Sequence, residues 1–189
     1  MFAVVFEVCP RPGHWDDYLG HAAILRPEVL KIDGFIANER FASRTAPGWL
    51  VSLSIWRDEK AVVRWRVHAQ HHEFQAKGRS EILAGYRLRV AEIVSDSEDA
   101  APLPQHRFDT TEAGDAKFLT LAEAPVQAAT PFESITRPGH GLTVLGWPDQ
   151  VAAEASLRGL PGRRRVLRVI RDYGLHDRAE APTYFPPVA

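Results

Sequence analysis

Hydrophobic and polar positions recur along this chain with a period that changes from block to block, and the changes mark its elements. Residues 2–8, FAVVFEV, are short, rich in β-formers and closed by Pro-Arg-Pro-Gly, which predicts a strand. From Trp15 to Ile32 the apolar residues Tyr18, Ala22, Leu25, Val29 and Ile32 step by threes and fours, which predicts an amphipathic helix kinked or divided at Pro27. Residues 35–43 alternate, and residues 49–56, WLVSLSIW, alternate more cleanly, so the two form a hairpin across Arg44–Gly48. Asp58 is placed to cap a second helix running to about Leu83, with Glu59 adding negative charge to its first turn. A fourth strand, YRLRVAEIV, covers 86–94.

The order β-α-β-β-α-β is ferredoxin-like, and it is complete within residues 1–96. Residues 97–115 are polar, acidic and Pro-containing, and read as a linker. The pattern then returns in residues 116–189. PGWLVSLSIWRD at Pro47 is answered by PGHGLTVLGWPD at Pro138, so that Gly48/Gly139, Trp56/Trp147 and Asp58/Asp149 share one offset. KFLTLAE (117–123) matches MFAVVFE, and RVLRVIRD (165–172) matches RVAEIVSD (89–96). The second half keeps four strands, loses most of the first helix and shortens the second to QVAAEASL. The expected fold class is therefore α+β, ferredoxin-like in two tandem repeats, forming an intrachain α+β barrel of two antiparallel sheets. A single such sheet leaves one apolar face bare, and fusing two copies makes its burial intramolecular. The helix-poor second repeat is the expected surface for a homodimer.

Composition removes several classes of function. The formal charge is −1 over 189 residues, and the densest basic run, Arg163-Arg164-Arg165, is too short for a nucleic-acid footprint. No apolar run is long enough to span a bilayer, and no membrane association is expected. The single cysteine, Cys9, cannot form an intrachain disulfide, and the N-terminus lacks signal-peptide character, so a cytoplasmic location is expected.

The first repeat resembles the antibiotic biosynthesis monooxygenase family in its strand FEV with the following PRPG, in LRPEVLKIDGFIANERF, and in LVSLSIWRDEKAVVRWRVHAQHHEFQAKGR, continuing through YRLRVAEIV. The closing VIRDYGLHDRAEAP (169–182) resembles the tail after the last strand of single-repeat members. The resemblance implies a small α+β barrel. It also implies, for the oxygenases of this shape, a pocket between helix and sheet in which a phenol loses its hydroxyl proton and the anion reacts with O₂ without metal or flavin. The haem-degrading branch is marked by an Asn on the first strand, which this chain lacks.

The residues able to carry such chemistry cluster on the second helix. On one continuous helix Trp65, His68, His72 and Arg79 lie near one face, with His71 about 100° round from His72. His68 and His72 are the candidate proton acceptors and Arg79 the cation for the oxyanion. Trp65, Trp56, Phe74 and Phe35 are candidate aromatic walls, and Asn38 a candidate contact to the substrate oxygen. The structural alternatives are a solvated face for the histidines and packing at barrel corners for the repeated Trp56 and Trp147. His68 and His72 have the i,i+4 spacing of a metal pair, but no third ligand is near in sequence, and no metal or cofactor is expected. The expected function is a cofactor-independent monooxygenase-like enzyme for a small aromatic or quinol-type molecule and O₂. The alternative is a non-catalytic small-molecule-binding or assembly protein of the same fold.

Overall fold

The computed structural model describes residues 1–99 and 103–183. The chain runs β1 (Phe2–Pro10), α1 (Trp15–Val29), β2 (Phe35–Ser43), β3 (Leu50–Trp56), α2 (Glu59–Arg66), α3 (Ala69–Lys77), a π-helical turn (Gly78–Ile82) and β4 (Leu83–Asp96). The second half follows with β5 (Phe118–Pro125), β6 (Phe132–Ser134), β7 (His140–Trp147), α4 (Gln150–Ser156) and β8 (Arg163–Gly174). No helix among the described residues is long and apolar enough to cross a membrane.

The duplicated sentence is duplicated in three dimensions. Asp58 Oδ1 accepts from the Ala61 N–H at 2.8 Å, and Asp149 Oδ1 accepts from Ala152 at 2.8 Å, the same cap on the same turn of each repeat. Gly48 and Gly139 take φ of 84° and 81°, a conformation that costs an L side chain and explains why the hairpin turn keeps glycine twice. Trp56 stands opposite Phe2, and Trp147 opposite Phe118.

All eight strands are antiparallel, and they close into one barrel in the order β1-β3-β2-β6-β7-β5-β8-β4. Each half contributes a four-stranded sheet in the ferredoxin-like order, β4-β1-β3-β2 and β8-β5-β7-β6. The two sheets do more than face each other across an apolar interior. Their edges also pair, over Arg87–Asp96 with Arg165–Gly174 at one seam and Phe41–Ser43 with Phe132–Ser134 at the other. Closure leaves no long edge strand exposed. The interior is filled by Ala3, Val5, Leu53, Ile55, Ile93, Leu119, Leu121, Leu142 and Leu167.

The long seam carries a pseudo-two-fold pair of ion pairs. Arg87 Nη2 lies 2.6 Å from Asp172 Oδ2, and Arg163 Nη2 lies 2.7 Å from Asp96 Oδ2. Arg163 and Asp172 are the repeat counterparts of Arg87 and Asp96, so each contact is the other with the halves exchanged, the signature of an isologous interface.

One expectation needs correction. The second helix is not continuous from Asp58 to Leu83: it breaks at Val67–His68, where His68 adopts φ −61°, ψ 126°, and restarts as α3 before ending in the π turn. The described part of the segment between the repeats is hydrogen-bonded to the barrel. The backbone N–H groups of His106 and Arg107 donate to the fully buried Glu92, Arg107 Nη1 reaches Glu59 at 2.6 Å, and Thr111 N donates to Val169 O.

Candidate functional site

On the first half, strand residues alternate between the barrel interior and an outer face roofed by α1, α2, α3 and the π turn. Ala3 and Val5 point inward, while Val4 and Phe6 point outward. Between this outer face and its roof lies a cavity of about 270 Å³, near the lower end of the small-molecule range. Val4, Phe6, Leu88 and Val90 form its floor, with Ser52, Ser54 and Trp56 from β3. Trp56 is fully buried, its indole N–H donates to Ser54 Oγ at 2.8 Å, and Phe35 packs edge-on at 5.1 Å.

Six of the eight residues expected in this site line the cavity: Trp65, Asn38, Phe35, Trp56, Phe74 and Arg79. Asn38 donates its amide to Ser52 Oγ and Leu53 O, both at 3.0 Å, so its remaining capacity is as an acceptor. Arg79 is only 8% exposed; burial, with the nearby Arg178, lowers its pKa.

His68 and His72 are not among the lining residues, and His71 is. The physical reason is the break at Val67–His68. Side chains keep a common face only along an unbroken helix, and the extended conformation of His68 resets the phase for α3. His68 becomes the cap of α3, with Nε2 3.9 Å from Glu28 of α1. His71 turns inward and stacks on Trp65, ring centroids 4.2 Å apart and planes 12° from parallel.

The protonation state of His71 follows from its contacts. Its Nδ1 lies 2.8 Å from the Trp65 carbonyl oxygen, which can only accept. Nδ1 therefore carries the hydrogen and Nε2 the lone pair. Burial pushes the imidazole pKa down to about 4, against the opposing effect of that hydrogen bond, and His68 and His72 push the same way as burial. His71 is a neutral acceptor throughout the physiological range.

The remaining polar groups are of one sign. Arg26, Arg40, Arg66, Arg79 and Arg178 line the cavity, and among the described residues no Asp or Glu does. The Nε atoms of Arg40 and Arg66 are buried without a hydrogen-bond partner. Unsatisfied buried donors are costly, and an anion in the cavity would satisfy them. The second half also contributes a wall: Tyr173, Arg178 and Pro182 close one side, and Arg178 Nη1 donates to the Tyr86 hydroxyl at 2.7 Å. Burial raises the Tyr173 pKa to about 12, so its hydroxyl stays protonated. In the second half itself, α4 seats Ala153 and Leu157 on Ala122 and Val166, where the first half keeps its cavity.

Comparison with known proteins shows the family of the chain. Residues 1–77 match the family described as antibiotic biosynthesis monooxygenase. A protein of Pyricularia oryzae named jasmonate monooxygenase ABM is 36% identical over 222 aligned residues that cover all of both chains. An uncharacterised Bacillus subtilis protein is 35% identical over 60 residues, 32% of this chain and 51% of its own. A solved structure from Mycobacterium tuberculosis is similar with a TM-score of 0.44 at 20% identity, covering 56% of this chain and 98% of that one.

Proposed function

This chain belongs to the antibiotic biosynthesis monooxygenase family, and from that premise we propose that it is a monooxygenase that binds a small aromatic or quinol-type molecule as its anion in the first-half cavity. The observation that carries the proposal is the cavity wall, where among the described residues five arginines and no carboxylate are set with Trp56, Trp65, Phe35 and Phe74. An apolar slot with a few convergent charges of one sign selects a flat apolar body bearing one acidic group.

In this reading His71 Nε2 accepts the hydroxyl proton. An imidazole held near 4 is a weak base for a phenol, so proton transfer depends on the guanidinium groups of Arg79 and Arg40 stabilising the oxyanion. The low dielectric beside the apolar walls strengthens that attraction. The electron-rich anion then reduces O₂ directly, with no cofactor. For a carbon flanked by two aromatic rings the balance is CH₂ + O₂ → C=O + H₂O: two C–H bonds break, one oxygen atom stays and the other leaves as water.

A second reading shares the anchor but changes the ligand. The Pyricularia relative is named for jasmonate, which is a small carboxylic acid, and a carboxylate fits the same arginines in a bidentate manner. Oxygen uptake in metal-free buffer, with one panel of anthrones and hydroquinones and another of small cyclic carboxylic acids supplied with a two-electron reductant such as a reduced nicotinamide, separates the two. Uptake with the first panel supports the phenolate reading, and uptake with the second alone moves the chemistry to the carboxylate class. Tight binding with no uptake in either panel would make the chain a non-catalytic binder.

A further inference from the structure

A second opening, of about 580 Å³, lies at one mouth of the barrel, away from the cavity just described. Glu39 of β2, Glu123 of β5 and His140 of β7 meet at it, one donor atom from each lying within 4.8 Å of the other two. We propose that these three side chains bind a divalent cation, Zn²⁺ foremost, and so clamp the first half of the chain to the second.

The donor chemistry suits that ion. One imidazole and two carboxylates form a set that zinc accepts, leaving a position for water on the open side. His140 Nε2 already faces Glu123 Oε2 at 3.3 Å, and the ion takes the place of the hydrogen they share. The Phe41 ring, 5.7 Å from the imidazole, limits where His140 can turn.

The cations now present differ in how firmly they are held. Arg165 bonds Glu123 and is fixed from behind by Asp96 at 2.8 Å, and it is almost fully buried. Arg137, which holds both oxygens of Glu39, has a side chain 56% exposed, whereas that of Glu39 is only 15% exposed. A partly buried carboxylate is thus neutralised by a surface arginine that can swing into water, and a divalent ion can displace it. Arg165 stays, and it balances the second carboxylate.

The duplication shows that the group is specific to this mouth. Glu7 and Arg89 repeat the Glu123–Arg165 pair at the other end of the barrel. There, however, Trp49 stands where His140 does and Thr130 where Glu39 does. The imidazole and the second carboxylate occur once, where the two halves meet.

The test uses the full-length chain dialysed against EDTA, titrated calorimetrically with zinc chloride and followed by thermal unfolding. The expected result is one site per chain and a midpoint raised by about 5 °C at zinc well above its Kd. Glu39→Gln and His140→Ala should each weaken binding at least about tenfold, the scale of a lost metal-site interaction. Arg137→Ala should bind zinc more tightly than the native chain. Circular dichroism identifies a variant that fails to fold, and the isosteric Glu39→Gln and the exposed Arg137→Ala keep the test standing if His140→Ala is lost. No zinc-dependent change in the native chain overturns the proposal. So does native affinity in the Glu39 and His140 variants, which would put the ion elsewhere, for instance on His68 and His72. Unchanged affinity in Arg137→Ala would contradict the displacement.

Discussion

His71 of α3 lies flat on Trp65 of α2 and points its Nδ1 at the Trp65 carbonyl oxygen 2.8 Å away. The contact joins two helices that one unbroken helix would have kept apart. It fixes the tautomer and the ring plane together, so the lone pair on Nε2 is held ready before any ligand arrives.

The depressed pKa of His71 makes a stability prediction. The folded value is about 4 and an unfolded histidine titrates near ~6.5, so between these values the unfolded chain holds more protons. Stability should fall as pH drops from about 6.5 to 4, by roughly 3 kcal/mol for this group alone. Replacing His71 with Phe should flatten that part of the stability-pH curve from urea unfolding, and in the native chain the imidazole NMR shifts of His71 should titrate near 4.

The seam pairs differ in what their loss exposes. Burial alone would raise the Asp96 pKa, but hydrogen bonds from Arg163 and Arg165 overcome that and hold it at about 2. Its contribution is complete above the unfolded carboxylate value of ~3.9 and is lost as pH falls towards 2. Asp96→Ala strands the buried Arg165 and should cost about 3–5 kcal/mol in urea unfolding. Asp172→Ala leaves Arg87, whose side chain is 45% exposed, free to find water, and should cost clearly less.

Each half carries both seams, which sets the behaviour of the halves alone. Residues 1–96 keep their helical roof and should dimerise, closing a barrel with a second copy through the strand edges that β6 and β8 otherwise occupy. Residues 116–189 lack that roof and should aggregate or stay unfolded. Sedimentation of the two fragments checks both outcomes.

Much of this architecture was legible in the sequence. The strands end within a few residues of the pattern changes, and the Asp58 and Asp149 caps are side-chain chemistry that sequence displays directly. Barrel closure follows less directly, because seam register depends on which edges meet, and no periodicity encodes that. His71 was the larger miss. The helix breaks at Val67–His68 with neither Gly nor Pro to announce it, so counting by 3.6 residues carried a false phase from Trp65 to Arg79. Arg40 sits on a strand and Arg178 in the tail, and only the fold brings them to Arg79.

The asymmetry of the halves predicts one ligand site per chain. Trp65, His71 and Arg79 have no counterparts in the second repeat, where α4 packs directly on its sheet. Calorimetric titration with a quinol that supports oxygen uptake should give a stoichiometry near one, and two equivalent sites would show that the second half binds ligand too.

The most direct measurement is the mass of the product formed from an active substrate under ¹⁸O₂ by the native chain and by the His68→Ala, His71→Ala and His72→Ala variants. Direct reaction of the bound anion with O₂ predicts one labelled oxygen atom in the product, a rate lowered about 10²–10⁴-fold in His71→Ala, and near-native rates in the other two. Unlabelled product, or a reaction that survives without His71 and fails without His68 or His72, would contradict it.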